Sequence, residues 1–220
     1  MNEDREDAFS SDQYQYTNRW FSGGAKSVWD KLIPQVDPSK ILEIGSYEGA
    51  SACYLIDMLS PRGRVEMHCI DTWEGGIEHK SGGAFESDMT SVEKRFLHNT
   101  RLSISRAQNE VVLMQHRGRS DDELARLVAE GRRGYFDFIY VDGSHQAPDV
   151  LSDAILSFVL LRKNGVIAFD DYLWQERLSY GADPLRCPKL VIDAFTNIFF
   201  RKIRIISAPL QQLYVQKIDD

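Results

Sequence analysis

From about Lys40 onward, short apolar runs alternate with longer segments in which apolar residues recur every three to four positions. Runs of the first kind read as buried strands, and segments of the second kind as amphipathic helices. The strand candidates are KILEI ending at Ile44, RVEMHCI ending at Ile70, VVLMQ from Val111, FDFIYV ending at Val141 and GVIAF ending at Phe169. Helices are predicted over 50–59, 92–102, 121–129 and 147–161. Ser120-Asp121-Asp122-Glu123 has the Ser-x-x-Glu spacing of a capping box and marks the start of the third of these helices. Such alternation predicts an α/β fold, a parallel sheet covered by helices. The tail differs: a helix over 188–197 leads into two strands, RKIRIIS and QQLYVQKI, whose short Ala208-Pro209-Leu210 link favours an antiparallel hairpin. Before residue 36 the chain is aromatic and helical in its second half, which suits a lid or packing at the sheet edge. The stretch 74–89 holds four glycines and no clear period, as expected of a loop that covers a site.

Length and composition narrow the function classes. At 220 residues with 43% hydrophobic content, the chain suits one large globular domain. No apolar run approaches the roughly 18 residues of a membrane span, so no membrane partner is expected. The acidic opening MNEDREDAFSSDQ is unlike a secretory leader, which places the expected location in the cytoplasm. The net charge of −7, from 33 acids and 26 bases, disfavours a nucleic-acid partner. Cys53, Cys69 and Cys187 are an odd number without paired spacing and read as reduced core residues.

Chemistry concentrates at predicted strand ends. In Glu43-Ile44-Gly45-Ser46-Tyr47-Glu48-Gly49, a strand breaks at glycine and a helix starts within five residues, a turn that turns backbone N–H groups toward a ligand. The spacing E-x-G-x-x-x-G departs from the dinucleotide G-x-G-x-x-G, because Ser46-Tyr47 stand where a second glycine admits a pyrophosphate. Asp71, followed by Thr72 and Trp73, ends the next strand, where a carboxylate can accept both ribose hydroxyls or cap a turn. Asp142 and His145 in VDGSH, and Asp170 and Asp171 in FDDY, end two strands that would lie about 4.8 Å apart as neighbours. Three crowded carboxylates need either protons, with raised pKa, or a hard cation such as Mg²⁺ or Ca²⁺; Asp171 could also cap the next segment. His145 could accept a substrate proton, ligate the metal or serve structure alone. There is no G-x-S-x-G elbow, no H-E-x-x-H and no cysteine metal site.

The glycine turn, the acid at Asp71, the VDGSH and FDDY strand ends and the final hairpin together resemble the class I S-adenosylmethionine (SAM)-dependent methyltransferases. Within them the chain is most similar to small bacterial O-methyltransferases with D-G-x-H and D-D-Y strand ends, over about 41–218. The resemblance implies a Rossmann-like seven-stranded sheet in order 3-2-1-4-5-7-6, with the last inserted strand antiparallel, in a domain over 36–220 after an N-terminal helical or lid segment over 1–35. It implies that Glu43, Gly45, Ser46 and Gly49 surround the methionine moiety, that Asp71 with Thr72 and Trp73 meets the nucleoside, and that Ser120 lies at the adenine. Asp142 would border the cofactor and, with Asp170 and Asp171, hold Mg²⁺. Asp171 stands where catechol enzymes carry Asn, which implies a sugar or natural-product hydroxyl as the small-molecule acceptor. Asp170 or His145 is the expected base.

Three other readings stay open: a metal-independent N- or O-methyltransferase, a nicotinamide-dependent oxidoreductase, and a catalytically silent nucleoside-binding module. Trp174, Arg177 and Tyr180 suit a sugar or phenolic ligand and equally a homodimer or larger homo-oligomer interface.

Overall fold

Seven strands form one sheet in the order β3-β2-β1-β4-β5-β7-β6. The computed structural model describes residues 12–220 except positions 84 and 177, so most of the acidic opening and Arg177 lie outside the described residues. The elements are α1 (Trp20–Gly23), α2 (Lys26–Val36), β1 (Lys40–Ile44), α3 (Ala50–Leu59), β2 (Val65–Asp71), α4 (Met89–Arg106), β3 (Val111–Arg117), α5 (Ser120–Ala129), β4 (Phe136–Val141), α6 (Ala147–Leu160), β5 (Leu161–Phe169), α7 (Lys189–Ile198), β6 (Ile203–Ile206) and β7 (Leu213–Lys217). Strands β1 to β5 pair in parallel, while β7 runs antiparallel to both β5 and β6. The expected α/β class, strand order and terminal hairpin are all present.

Side chains of successive strand residues point to opposite faces, so each strand feeds two cores. Leu42, Ile44, Ile139, Val141, Ile167 and Phe169 pack beneath α5, α6 and α7. Ile41, Met67, Cys69, Phe138, Tyr140 and Val166 pack beneath α2, α3 and α4. Burial of each large apolar side chain in these layers contributes about 1.5–3 kcal/mol. Trp29 brings α2 into the second core, edge-on to Phe138 and Tyr140 at 5.3 and 4.8 Å. All three cysteines are buried and free, as expected.

Several boundaries differ from the sequence expectation for local reasons. Helix α4 begins at Met89 rather than Val92 because Asp88 caps it, accepting from the Thr90 amide at 3.1 Å and the Ser91 hydroxyl at 2.6 Å. Leu161, expected as the end of α6, instead begins β5. The capping box at Ser120 is not formed: no side chain caps α5, and the Glu123 carboxylate turns to Arg126 Nε at 3.0 Å. An i,i+3 ion pair thus replaces the reciprocal cap.

Candidate active site

In a parallel sheet the strand ends share one edge, and the crevice where the chain order reverses is the usual ligand site. Here that crevice lies between β1 and β4. Gly45 follows β1 at φ +83°, and a Cβ there would stand 2.1 Å from the Asp142 carbonyl oxygen. Only glycine permits the two strand ends to approach so closely. Three of the five non-glycine residues with positive φ, among those described, sit along this edge: Tyr47 at 47°, Trp73 at 49° and Asp171 at 53°. Such conformations cost of order 1–3 kcal/mol each and persist where their surroundings over-determine them.

Asp71 supplies much of that restraint at the glycine turn. Its Oδ2 accepts from the Ser46 and Tyr47 amides, both at 2.9 Å, and its Oδ1 from the Trp73 amide at 2.7 Å. The acid expected at a ribose therefore also ties the ends of β1 and β2 together. Trp73 is buried against Phe96 at 4.9 Å, with its indole N–H donating to the Tyr47 carbonyl at 3.1 Å, so it supports the turn from behind. Thr72 accepts from the Glu74 amide at 3.1 Å. Gly49, at φ +79°, lets α3 start against the Phe96 ring. Glu43 lies beneath the turn, where burial raises its pKa to about 7 against the hydrogen bond that the Ser51 hydroxyl donates to it. Ser46 Oγ is buried without a hydrogen-bond partner among the described residues. An orphan hydroxyl beside a left-handed turn at the switch point is a fit for a polar ligand group. Ser120 opens α5 just beyond the end of β3.

Across the crevice, Asp142, Ser144, His145, Asp170 and Asp171 line one narrow pocket. Burial, then the charge of Asp171, raises the Asp170 pKa to about 6, opposed by hydrogen bonds from Tyr140, the Asp171 amide and Gln212. Gln212 Nε2 donates to Asp170 Oδ2 at 2.8 Å, and the Tyr140 hydroxyl donates to the same oxygen. Burial and the charges of Asp170 and Asp171 push Asp142 well above the usual carboxylate range. His145 Nε2 meets Asp171 Oδ2 at 2.9 Å, and its Nδ1 lies 3.3 Å from Glu78 Oε1. Burial opposes charge on this ring, yet the hydrogen bond to Asp171 and the proximity of Glu78 outweigh it and raise the pKa to about 9. His145 is thus an imidazolium at neutral pH, stacked on Trp174 with centroids 3.9 Å apart.

Asp142, Asp170 and Asp171 line the same pocket, where Tyr140, Gln212 and His145 face their carboxylates. Among the described residues, no three His, Cys, Asp or Glu side chains are arranged to hold a metal ion. Asp170 accepts from three protein donors and Asp171 faces His145. In this arrangement the donor set does not fit a resident Mg²⁺.

The residues that sequence reasoning missed reach the site from afar. Glu78 comes from a 3₁₀ turn, Ile77–His79, inside the glycine-rich loop, and is buried while the apolar Ile77 beside it is exposed. Gln212 stands just before β7 and Tyr214 lies within it; Tyr214 donates to Gln212 Oε1 and accepts from Trp29 Nε1 at 3.1 Å. A polar residue beside an alternating strand was the only available signal for Gln212.

A Rossmann-like sheet with a glycine turn at its switch point defines a nucleotide-type ligand-binding class. Residues 42–172 match the family model described as a methyltransferase domain, which is more than half of the chain, and the protein belongs to that family. The "Probable caffeoyl-CoA O-methyltransferase 3" of Dictyostelium discoideum is 25% identical over 167 residues, covering 76% of this chain and 55% of the relative. The chain therefore spans about half the length of the curated relative it matches. The O-methyltransferase TomG of Streptomyces achromogenes, solved with SAM, shares the fold at TM-score 0.61 and 18% identity, over 89% of this chain and 80% of TomG. An O-methyltransferase of Bacillus cereus, solved with S-adenosylhomocysteine (SAH), does so at 0.58 and 16%, over 93% and 84%.

Proposed function

We propose that this protein transfers a methyl group from SAM to a hydroxyl oxygen of a small-molecule acceptor. The observation that carries the reading is the pairing, across one switch point, of a strained glycine turn tied down by Asp71 with the Asp170–His145 pocket. The O-acceptor in the name of the Dictyostelium relative, and the SAM and SAH in the titles of the two structures, support it. In this reading residues 36–220 are the methyltransferase domain and the preceding segment packs on it. Glu43, Gly45, Ser46 and Gly49 form the methionine end of the cofactor site, with Asp71, Thr72 and Trp73 at the nucleoside, Ser120 at the adenine and Asp142 at its border.

When bound, SAM supplies an electrophilic methyl group on a sulfonium sulfur. The chain has to align an acceptor oxygen with that methyl and remove its proton, so positioning dominates. Asp170 is the base. A pKa of about 6 leaves it ionised at neutral pH yet close enough to operating pH to take a proton. Tyr140 and Gln212 both donate to Oδ2, which fixes the orientation of the carboxylate. His145 already carries its proton and does not serve as the base. Its positive charge lines the same pocket as Asp170 and would stabilise negative charge developing on an acceptor oxygen held there. A divalent cation enters this reading only through Asp142, Asp170 and Asp171, and would require Asp171 to leave His145.

Calorimetric titration with SAH, in Mg²⁺ and again in EDTA with NAD as control, tests the cofactor class. Micromolar SAH binding in both buffers with no NAD response is expected. Binding of NAD, or no SAH binding by folded protein, overturns the reading. The acceptor class is set by comparing phenolic and sugar hydroxyls, with caffeoyl-CoA as the first compound because of the relative's name.

A further inference from the structure

Outside the pocket, a set of polar contacts joins residues 12–19 to α4 and the glycine turn. This segment runs along α4, meeting it at His98, Asn99 and Arg106. The Gln15 amide donates to Asn99 Oδ1 at 2.7 Å, and Asn99 Nδ2 donates back to the Gln15 carbonyl at 3.0 Å. His98 Nε2 meets the Gln13 carbonyl at 2.9 Å, and the Tyr14 hydroxyl donates to Asp57 Oδ2 at 2.6 Å. A side-chain amide that pairs with both main-chain groups of one residue imitates a sheet partner and fixes the register of the segment.

Further contacts continue into the turn. Thr17 donates through its amide to Glu48 Oε2 at 2.8 Å and through its hydroxyl to Glu48 Oε1 at 2.7 Å. Arg95 from α4 donates to the same carboxylate at 2.5 Å. Asn99 Nδ2, while holding Gln15, also donates to the Glu48 carbonyl at 2.8 Å. Glu48 is 2% exposed and Asn99 fully buried, so water cannot replace a lost partner. The segment then ends at Trp20, whose ring packs on Tyr47 at 5.1 Å.

Glu48 stands between Tyr47, with its left-handed backbone, and Gly49. Asp71 restrains the turn from the sheet side, at the Ser46 and Tyr47 amides. Among the described residues, the side-chain partners of Glu48 are Thr17, Arg95 and Asn99, none of them on the sheet side. We infer that residues 12–19 form an outer clamp of the cofactor site, acting through Glu48 as a positioning residue that holds the turn in its ligand-binding shape. The inference rests on the cofactor assignment above. It makes the N-terminal segment part of the binding machinery and distinguishes it from a lid over the acceptor.

SAH titration of variants of the full chain tests this, with a thermal melt of each. Glu48→Gln keeps the side-chain volume but sets an amide N–H₂ against donors from Thr17 and Arg95. It should weaken SAH binding at least about tenfold, which corresponds to about 1.4 kcal/mol. Thr17→Val removes one hydroxyl donor and should weaken binding roughly threefold, while Thr17→Ser, which keeps that donor, should bind as the wild type does. Arg162→Met breaks an ion pair with Asp137 at the opposite sheet edge. It should lower the melting temperature and leave SAH affinity unchanged. If Glu48→Gln does not fold, the Thr17 pair decides. SAH binding by the wild type with equal affinity in Thr17→Val and Thr17→Ser, or loss of affinity that merely follows melting temperature across all variants, overturns the clamp alone. A wild type that does not bind SAH overturns the cofactor reading and the clamp with it.

Discussion

Replacing Glu78 with Gln tests whether His145 is held as a cation by the glycine-rich loop. In the wild type, burial works against protonation, and Asp171 and Glu78 more than compensate, lifting the pKa from 6.5 to about 9. That difference is worth about 3 kcal/mol in favour of the imidazolium. Glu78 reports the same contact from the other side: burial should raise it, yet the adjacent His145 imidazolium lowers it from 4.5 to about 2. Gln has nearly the same volume without the charge, so the burial penalty remains and one of two anionic partners is lost. The His145 pKa should fall by at least about one unit, or about 1.4 kcal/mol. The stability that His145 contributes is complete below pH 6.5 and is lost as pH rises through about 9. That of Glu78 is complete above pH 4.5 and is lost as pH falls through about 2. The variant should therefore lose most, relative to wild type, near pH 6 and much less near pH 10, where the ring is neutral in both proteins. Imidazole NMR titration gives the pKa, and urea midpoints at the two pH values give the stability. An unchanged His145 pKa, or the same stability deficit at both pH values, refutes the reasoning.

Other consequences follow from single groups. Gly45→Ala adds a Cβ 2.1 Å from a backbone oxygen at φ +83°, so folded yield and melting temperature should fall sharply; a wild-type melt would contradict the close approach. Tyr214→Phe leaves the Trp29 indole N–H and Gln212 Oε1 without their shared partner, at a cost of about 1–3 kcal/mol in urea denaturation; a change no larger than that at a surface tyrosine would contradict it. Burial, with help from the charges of His116 and Arg132, lowers the His68 pKa to about 4, so the unfolded chain binds a proton between pH 6.5 and 4 that the native protein does not. Stability should fall by up to about 3 kcal/mol as pH drops through that interval, and less in His68→Gln; equal acid slopes for the two proteins would exclude this role.

The sheet was legible because parallel strands buried on both faces leave continuous apolar runs, and because glycine and aspartate punctuate their ends. KILEI before Gly45, FDFIYV before Asp142 and GVIAF before Asp170 carry fold and site together. Contacts between distant segments leave no such trace. Nothing local in Glu78 marks it as the partner of His145, 67 positions away by number. Glu48 looks like one more polar turn residue until Thr17 and Arg95 are seen around it. The protonation of the pocket was equally hidden. Adjacent acids indicate crowding, but whether a cation, a proton or a histidine relieves it depends on where each side chain turns. The capping box at Ser120 failed for a similar reason, since Arg126 competes for Glu123 one turn later.

The most direct test of the central claim is transfer from SAM carrying a trideuterated methyl group, with caffeoyl-CoA and then phenolic and sugar hydroxyl compounds as acceptors. Wild type and Asp170→Asn are compared by mass spectrometry, with and without EDTA. Label on an acceptor oxygen, transferred by the wild type in both buffers and at least about a hundredfold more slowly by Asp170→Asn, is the predicted result. Undiminished transfer by Asp170→Asn, label on nitrogen, or no transfer to any hydroxyl compound by SAH-binding protein would contradict it.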